Sequence, residues 1–207
     1  VVEAVGKKVA GVKVGDKVAI RLLNSCGECY YCRNGHENQC VKSFIAETQE
    51  CAMGPGGLAE YMMVSAADVY KVADDADLEH VALTEPLACC VHSIENGQIE
   101  LGNDVVVIGI GIMGALHIQL AKLKGARVIV AGRNPIKLKL AEEFAHADEI
   151  VDLKKYSNPE IIFKDFSDEK KGLDVAIECV GMPEIWELIF SCVRPGGTVH
   201  FFGGCKS

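Results

Sequence analysis

VVVIGIGIMG, residues 105–114, decides the fold. Four β-formers run straight into a G-x-G-x-x-G, and ALHIQLAKLKG follows with apolar residues at helical spacing. The three glycines have separate jobs. Gly109 permits a tight turn, Gly111 lets a pyrophosphate approach the backbone, and Gly114 lets helix and strand pack closely. The helix that starts at this turn offers unpaired N–H groups and a positive dipole end. The motif alone is weak, but a strand before it and a helix after it are the context that gives it meaning. We therefore expect dinucleotide binding, with Gly109, Gly111, Ile112, Met113 and Gly114 forming the phosphate turn. The plainer reading is a tight strand-to-helix turn in an α/β protein without a cofactor.

Downstream, strands and helices alternate. Strands are expected at 105–108, 127–131, 149–152, 173–178 and 197–202. Asn134-Pro135 and Asn158-Pro159 each supply a helix cap followed by proline at the first helical position. Such alternation gives a parallel sheet with helices on both faces. In dinucleotide folds of this type an acidic residue about 20 positions past the glycines takes the ribose hydroxyls. Here the second strand ends in Gly132-Arg133-Asn134, with no carboxylate. A small residue followed by arginine suits a 2′-phosphate, because the guanidinium pairs with phosphate oxygens in a fork. The expectation is NADP rather than NAD; otherwise Arg133 is a solvated turn residue.

Upstream, residues 1–75 read as β-rich. Residues 1–5 resemble a strand already in progress, and 12–20 suggest two short strands around Gly15-Asp16. Residues 58–64 are strand-like again, after a Gly/Pro stretch at 53–57. From Asp74 the spacing turns helical, and Pro86 is expected to start a helix.

Between these lies the most specific chemistry in the chain, Cys26-x2-Cys29-x2-Cys32-x7-Cys40. Four thiolates in one short loop can surround a tetrahedral ion and leave no position open for substrate, so a structural zinc is expected. In zinc peptides such a site contributes on the order of 10–16 kcal/mol to folding. An iron–sulfur cluster also uses C-x2-C-x2-C, but its bacterial form places the fourth cysteine closer and follows it with proline. Cys40 is followed by Val41. Disulfides are the other alternative, though two residues of separation is tight for a bridge. His36, inside the loop, reads as a solvated residue. The scattered cysteines 51, 89, 90, 179, 192 and 205 read as small hydrophobes, with Cys89-Cys90 in a core. His92 and His117 read as packing residues on helices.

Composition sets outer bounds. The chain has 207 residues, 49% of them hydrophobic and 24% charged, an ordinary globular balance. A net charge of −8 without a basic run argues against nucleic acid or an anionic membrane surface as the main partner. No apolar run reaches the length of a membrane span, and the first residues do not form a secretory signal. With its cysteines reduced, the protein is expected in the cytoplasm. The absence of an initial Met suggests a fragment, or the ordered part of something longer.

Taken together, GVKVGDKVAI, CGECYYCRNGHENQC, GPGGLAEYMMV, EPLACCVHSI, VVVIGIGIMGALHIQLAK, DVAIECVG and GGTVHFFGG resemble the zinc-dependent medium-chain alcohol and polyol dehydrogenases. They span nearly the whole chain in that family's order, nearest to its sorbitol and threonine dehydrogenase branch. The resemblance implies a Rossmann-type doubly wound parallel sheet, an α/β fold, preceded by part of a β-rich GroES-like domain. It divides the chain into a partial GroES-like domain with a zinc lobe at 1–75, connecting helices at 76–100, and an incomplete Rossmann domain at 101–207. It implies reversible hydride transfer between a secondary alcohol or polyol and NAD(P), and a homo-oligomer when intact. By position it assigns Cys26, Cys29, Cys32 and Cys40 to the structural zinc. Gly109, Gly111 and Gly114 go to the pyrophosphate, and Val180 and Gly181 to the nicotinamide ribose. Glu85 matches a side chain at the family's catalytic zinc, where the metal polarises the alcohol oxygen; an acid at a helix start is also stabilised by the dipole alone. The other ligands of that zinc are expected upstream of Val1, so the chain as it stands is expected to be inactive. A non-catalytic nucleotide-binding, zinc-stabilised module is the main alternative. A thiol redox protein using Cys26 and Cys29 is weaker, and zinc-free quinone reductases lack the four-cysteine lobe.

Overall fold

The computed structural model describes residues 1–21, 25–42, 59–167, 169 and 171–204. It falls into two compact units, Val1–Glu85 and Pro86–Ser207.

The second unit is built on five parallel strands: β3 (Asp104–Ile108), β4 (Arg127–Gly132), β5 (Glu149–Asp152), β6 (Leu173–Glu178) and β7 (Val193–Phe201). The labels β1 and β2 belong to the first unit. The spatial order is β5-β4-β3-β6-β7. Residues 105–108 and 128–131 are buried on both faces, as continuous Val/Ile/Ala runs in a covered parallel sheet should be. Alternation sends Val105 and Val107 to one face, against Ile118 and Ala121, and Val106 and Ile108 to the other, against Phe163, Ile185 and Ile189. Burying each such side chain is worth about 1.5–3 kcal/mol.

The helices are α3 (Thr84–Asn96), α4 (Ile112–Leu123), α5 (Pro135–Glu143), α6 (Pro159–Asp165) and α7 (Pro183–Cys192). Their starts follow local chemistry. Asn134 Oδ1 accepts from the N–H groups of Ile136 and Lys137 at 3.0 and 3.2 Å, with Pro135 at the first position. The expected twin signal at Asn158-Pro159 holds in part: Pro159 opens α6, but the Asn158 side chain makes no capping bond. Pro86 does not start α3. It sits within the first turn, which begins two residues earlier, where backbone N–H groups have no helical acceptor to lose.

The chain runs outward from β3 through β4 to β5, then crosses back to lay β6 on the other side of β3. That reversal leaves a crevice at the carboxyl ends of β3 and β6. Strand β7 begins at Val193, four residues before the expected 197. A register shift between Leu173↔Val193 and Val175↔Thr198 absorbs Pro195-Gly196-Gly197, with Gly196 at φ +74.

In the first unit, β1 (Val18–Ile20) pairs antiparallel with β2 (Val69–Lys71). Three expectations change here. Residues 12–14 form no strand; they lead into a turn at Gly15 (φ +90), closed by the buried Asp16 carboxylate, which accepts from Lys13 N and Lys71 Nζ. Residues 1–5 form no strand either, although Val2 exchanges bonds of 2.9 Å with Gly15 and Asp16. Residues 59–64 are irregular, while Leu58 and the stretch at 53–57 lie outside the described residues. The label α1 belongs to the cysteine loop, Tyr30–Arg33, and α2 to Leu78–Val81, capped by Asp77. Among the described residues no helix is long and apolar enough to cross a membrane.

Candidate functional site

The turn between β3 and α4 assigns each glycine a distinct constraint. Gly109 lies at φ +101, and a Cβ there would stand 2.6 Å from Val180 Cγ2. A Cβ on Gly114 would stand 1.9 Å from Gly109 O, so only glycine lets α4 pack against the turn. Gly111, which caps α4, faces open space, with nothing within 4 Å of where its Cβ would be. An exposed helix N-terminus with no side chain in front of it is what a bound phosphate requires. Ile112 beside it is 64% exposed, and Met113 is half-buried.

A cleft of about 140 Å³ runs from this turn across the strand ends. It is lined by Gly109 and Ile110 of the turn, by Gly132, Arg133 and Lys137 at and after the end of β4, and by Val180 and Met182 after β6. Gly132 is tightly placed: a Cβ there would meet Ile110 Cδ1 at 2.9 Å. Arg133 and Lys137 are exposed, and neither has an ion-pair partner among the described residues. Sequence reasoning missed Lys137. Its signal was present, since a lysine in the first turn of a helix opposes the dipole and needs another reason to be there.

Val180 is 41% exposed, and Gly181 has φ +79 with Gly204 O only 2.3 Å from where its Cβ would be. Behind them stands a second residue that sequence reasoning missed. Glu178, at the end of β6, is fully buried. Its Oε1 accepts from Val180 N at 2.5 Å and Gly181 N at 2.6 Å, and its Oε2 accepts from Trp186 Nε1 at 3.0 Å. A carboxylate inside the apolar run DVAIECVG was the available signal, because acids are rarely buried without a reason.

The histidines and cysteines of this unit divide. His117 is fully buried, as expected. Its Nδ1 donates to Met113 O at 2.8 Å, and its Nε2 has no partner among the described residues. His92 is exposed instead, close to Asn96, so it is not a packing residue. Cys90 is buried but Cys89 is exposed, because neighbours on a helix point in different directions. Burial pushes the Cys90 thiol up to about 11 and the Cys179 thiol up to about 12, so both stay protonated. Cys192 is buried, while Cys51 and Cys205 lie outside the described residues.

In the first unit, Cys26, Cys29, Cys32 and Cys40 bring four sulfurs within 4.8 Å of one another. Cys26 and Cys32 are 3.9 Å apart, and Cys29 and Cys32 3.5 Å. A tetrahedron with zinc–sulfur bonds of about 2.3 Å needs roughly 3.8 Å between sulfurs, so the set fits a closed tetrahedral ion. The loop is already turned for it. Backbone N–H groups of Cys26 and Lys42 point at Cys40 Sγ, and that of Cys29 at Cys26 Sγ, each at 3.4 Å. Such donors favour thiolate: the backbone N–H of Cys32 holds the Cys29 thiol, and those of Cys26 and Lys42 the Cys40 thiol, below their ordinary value, while burial and the neighbouring Cys29 sulfur raise Cys32. His36 is exposed and outside the group. Arg21 anchors the lobe, with Nε on Asp68 at 2.9 Å and the rest of the guanidinium on Asp68 and Glu37. Glu85 is exposed in the first turn of α3, and no cluster of three or more ligating side chains among the described residues includes it.

Known proteins are similar to this chain in sequence and fold. Residues 1–74 match the alcohol dehydrogenase GroES-like domain and residues 109–207 the zinc-binding dehydrogenase model. D-arabinitol dehydrogenase 1 of Uromyces fabae is 34% identical over 96% of the chain and 56% of its own length. L-threonine 3-dehydrogenase of Pyrococcus abyssi is 35% identical over 96% of the chain and 55% of its own length. Among solved structures, a candidate zinc-binding dehydrogenase of Sinorhizobium meliloti 1021, bound to NADP, superposes with a TM-score of 0.86. It is 31% identical, over 99% of this chain and 58% of that one. The chain thus spans a little over half the length of the curated relatives it matches.

Proposed function

The chain belongs to the zinc-dependent medium-chain dehydrogenase family, and from that premise we propose that it supplies the NADP cleft and structural-zinc lobe of an alcohol or polyol oxidoreductase. The observation that carries this reading is the open N-terminus of α4 at Gly111, beside a cleft lined by Arg133, just after β4, and Lys137, in the first turn of α5, neither with an ion-pair partner among the described residues. Gly109, Gly111, Ile112, Met113 and Gly114 would receive the pyrophosphate. Arg133, from Gly132, would pair with a 2′-phosphate, with Lys137 adding a second charge. Val180 and Gly181 would border the nicotinamide ribose. NADP, when bound, accepts or returns the hydride; the residues of this chain hold it in place and shield one side of it.

The structural zinc would sit among Cys26, Cys29, Cys32 and Cys40 and hold the lobe without touching substrate. The residues present do not fit a second, catalytic zinc: among the described residues no group of three or more ligating side chains includes Glu85, the position the resemblance assigns to it. On the same reading, residues 1–75 are part of a GroES-like domain, 76–100 connect, and 101–207 are part of a Rossmann domain. The setting is a reducing cytoplasm, the partners are a small alcohol or polyol and further copies of the chain, and neither nucleic acid nor membrane takes part.

Two measurements test this. NADPH should bind roughly 10- to 100-fold tighter than NADH, the worth of a hydrogen bond to a charged group, and Arg133→Ala should erase most of that ratio. Equal affinities in the unaltered protein overturn the role of Arg133. The purified 207-residue chain should reduce no NADP with secondary alcohols or polyols, and measurable alcohol-dependent reduction overturns the expected inactivity.

A further inference from the structure

We propose that Glu178 is a positioning residue that fixes the nicotinamide end of the cleft, and that Trp186 is coupled to it. This rests on the cofactor reading above. Glu178 is fully buried, and among the described residues no Lys, Arg or His pairs with it. A lone buried carboxylate is costly, and a strand end that needed stability alone would be served by an apolar side chain. This one is compensated by dipoles from a single neighbourhood: the N–H groups of Val180 and Gly181 on Oε1 and the Trp186 indole on Oε2. Its backbone carbonyl meanwhile accepts from Phe202 and Gly203, both at 3.0 Å. One residue therefore holds the turn after β6 and the turn after β7 together.

Little slack surrounds the arrangement. A Cβ on Gly203 would lie 2.4 Å from Gly181 N and 2.8 Å from Glu178 Oε2. Val180, whose amide is bound to the carboxylate, also fills the space in front of Gly109. The carboxylate thus sets where Val180 stands in the cleft, and where Gly181 stands beside it, while not itself lining it. Trp186 stacks edge-on against Phe201 at 5.1 Å and is the only tryptophan of the chain, so its emission reports on this point alone.

The test uses two ligands, NADPH and 2′,5′-ADP, which shares the adenosine end but has no nicotinamide. Glu178→Gln keeps a carbonyl oxygen for one side and presents a donor to the other. It should weaken NADPH about 10-fold, one hydrogen bond's worth, leave 2′,5′-ADP unchanged, and shift Trp186 emission in the free protein. Unchanged NADPH affinity overturns the proposal, and so does an equal loss for both ligands, which marks a purely structural role. If Glu178→Gln does not fold, Trp186→Phe keeps the ring contact and removes one donor. It should weaken NADPH but not 2′,5′-ADP, and no change overturns the coupling. An unaltered protein that binds both ligands while the variants behave like it sinks the Glu178 role alone. An unaltered protein that binds neither sinks the cofactor reading and the Glu178 role with it.

Discussion

Gly111 and Gly114 are three residues apart, and an added methyl group meets opposite surroundings at the two. At Gly114 it collides with Gly109 O at 1.9 Å; at Gly111 it meets nothing within 4 Å. Gly114→Ala should therefore lose stability, by 1–3 kcal/mol or more as overpacking does, with a lowered melting temperature. Gly111→Ala should melt close to the unaltered protein and yet lose NADPH affinity, since its methyl group would stand where phosphate docks. Melting and titration of the pair check this, and a Gly111→Ala protein that binds normally would falsify the phosphate turn. His117 makes a pH-dependent prediction. Burial first of all, and His200 nearby, hold its imidazole below 6.5, and burial does the same to His200. Neutral rings are thus favoured in the fold. Their contribution is complete above about 6.5, the value of an unfolded histidine, and is lost as pH falls through the lower folded values. The depressed carboxylates Asp148 and Asp174 act only below 3.8, so they leave this window clear. Urea midpoints should fall between pH 7.5 and pH 5.5, and fall less in His117→Gln; an identical fall in that variant removes His117 as a cause. At this scale the sequence was readable where a residue's type dictates its backbone, as in the glycines. For Glu178 and Lys137 it offered only a residue type out of place, a carboxylate in an apolar run and a lysine in a helix's first turn; what each does depends on neighbours brought by folding.

Among the elements, the cysteine lobe depends most on something other than packing. Its helix α1 has four residues and no buried side chain. A helix so short does not persist alone, and the lobe is otherwise tied by ion pairs of Arg21 and of Lys42 with Glu28, by backbone turns, and by its four clustered sulfurs. The protein should carry about one zinc per chain. Chelation should speed amide exchange in residues 25–42 while leaving exchange in the Pro86–Ser207 unit unchanged. A metal-free protein with the lobe still protected would refute a structural ion. The strands of the second unit were legible because they are continuous apolar runs beside clear helix starts; β3 to β6 lie within a residue of their expected bounds. In the first unit β1 and β2 have three residues each and pair across some fifty residues. No local pattern specifies such a pairing, which is why 12–14 and 59–64 were misread as strands.

For the molecule as a whole, the alternation of strand and helix foretold a parallel sheet, while its spatial order required the structure. That order has a consequence for how the protein is made. β3 takes one neighbour from β4, which follows it directly, but its other neighbour, β6, starts only at residue 173. On the ribosome, β3, β4 and β5 can assemble first, and the Val105–Ile108 edge then waits bare through the synthesis of the whole intervening segment. Distant parallel pairings close slowly, and an apolar strand edge left open is a template for other chains. The strand that comes to organise the finished sheet is, for that interval, the nascent chain's most aggregation-prone surface, and the one a chaperone would have most reason to cover.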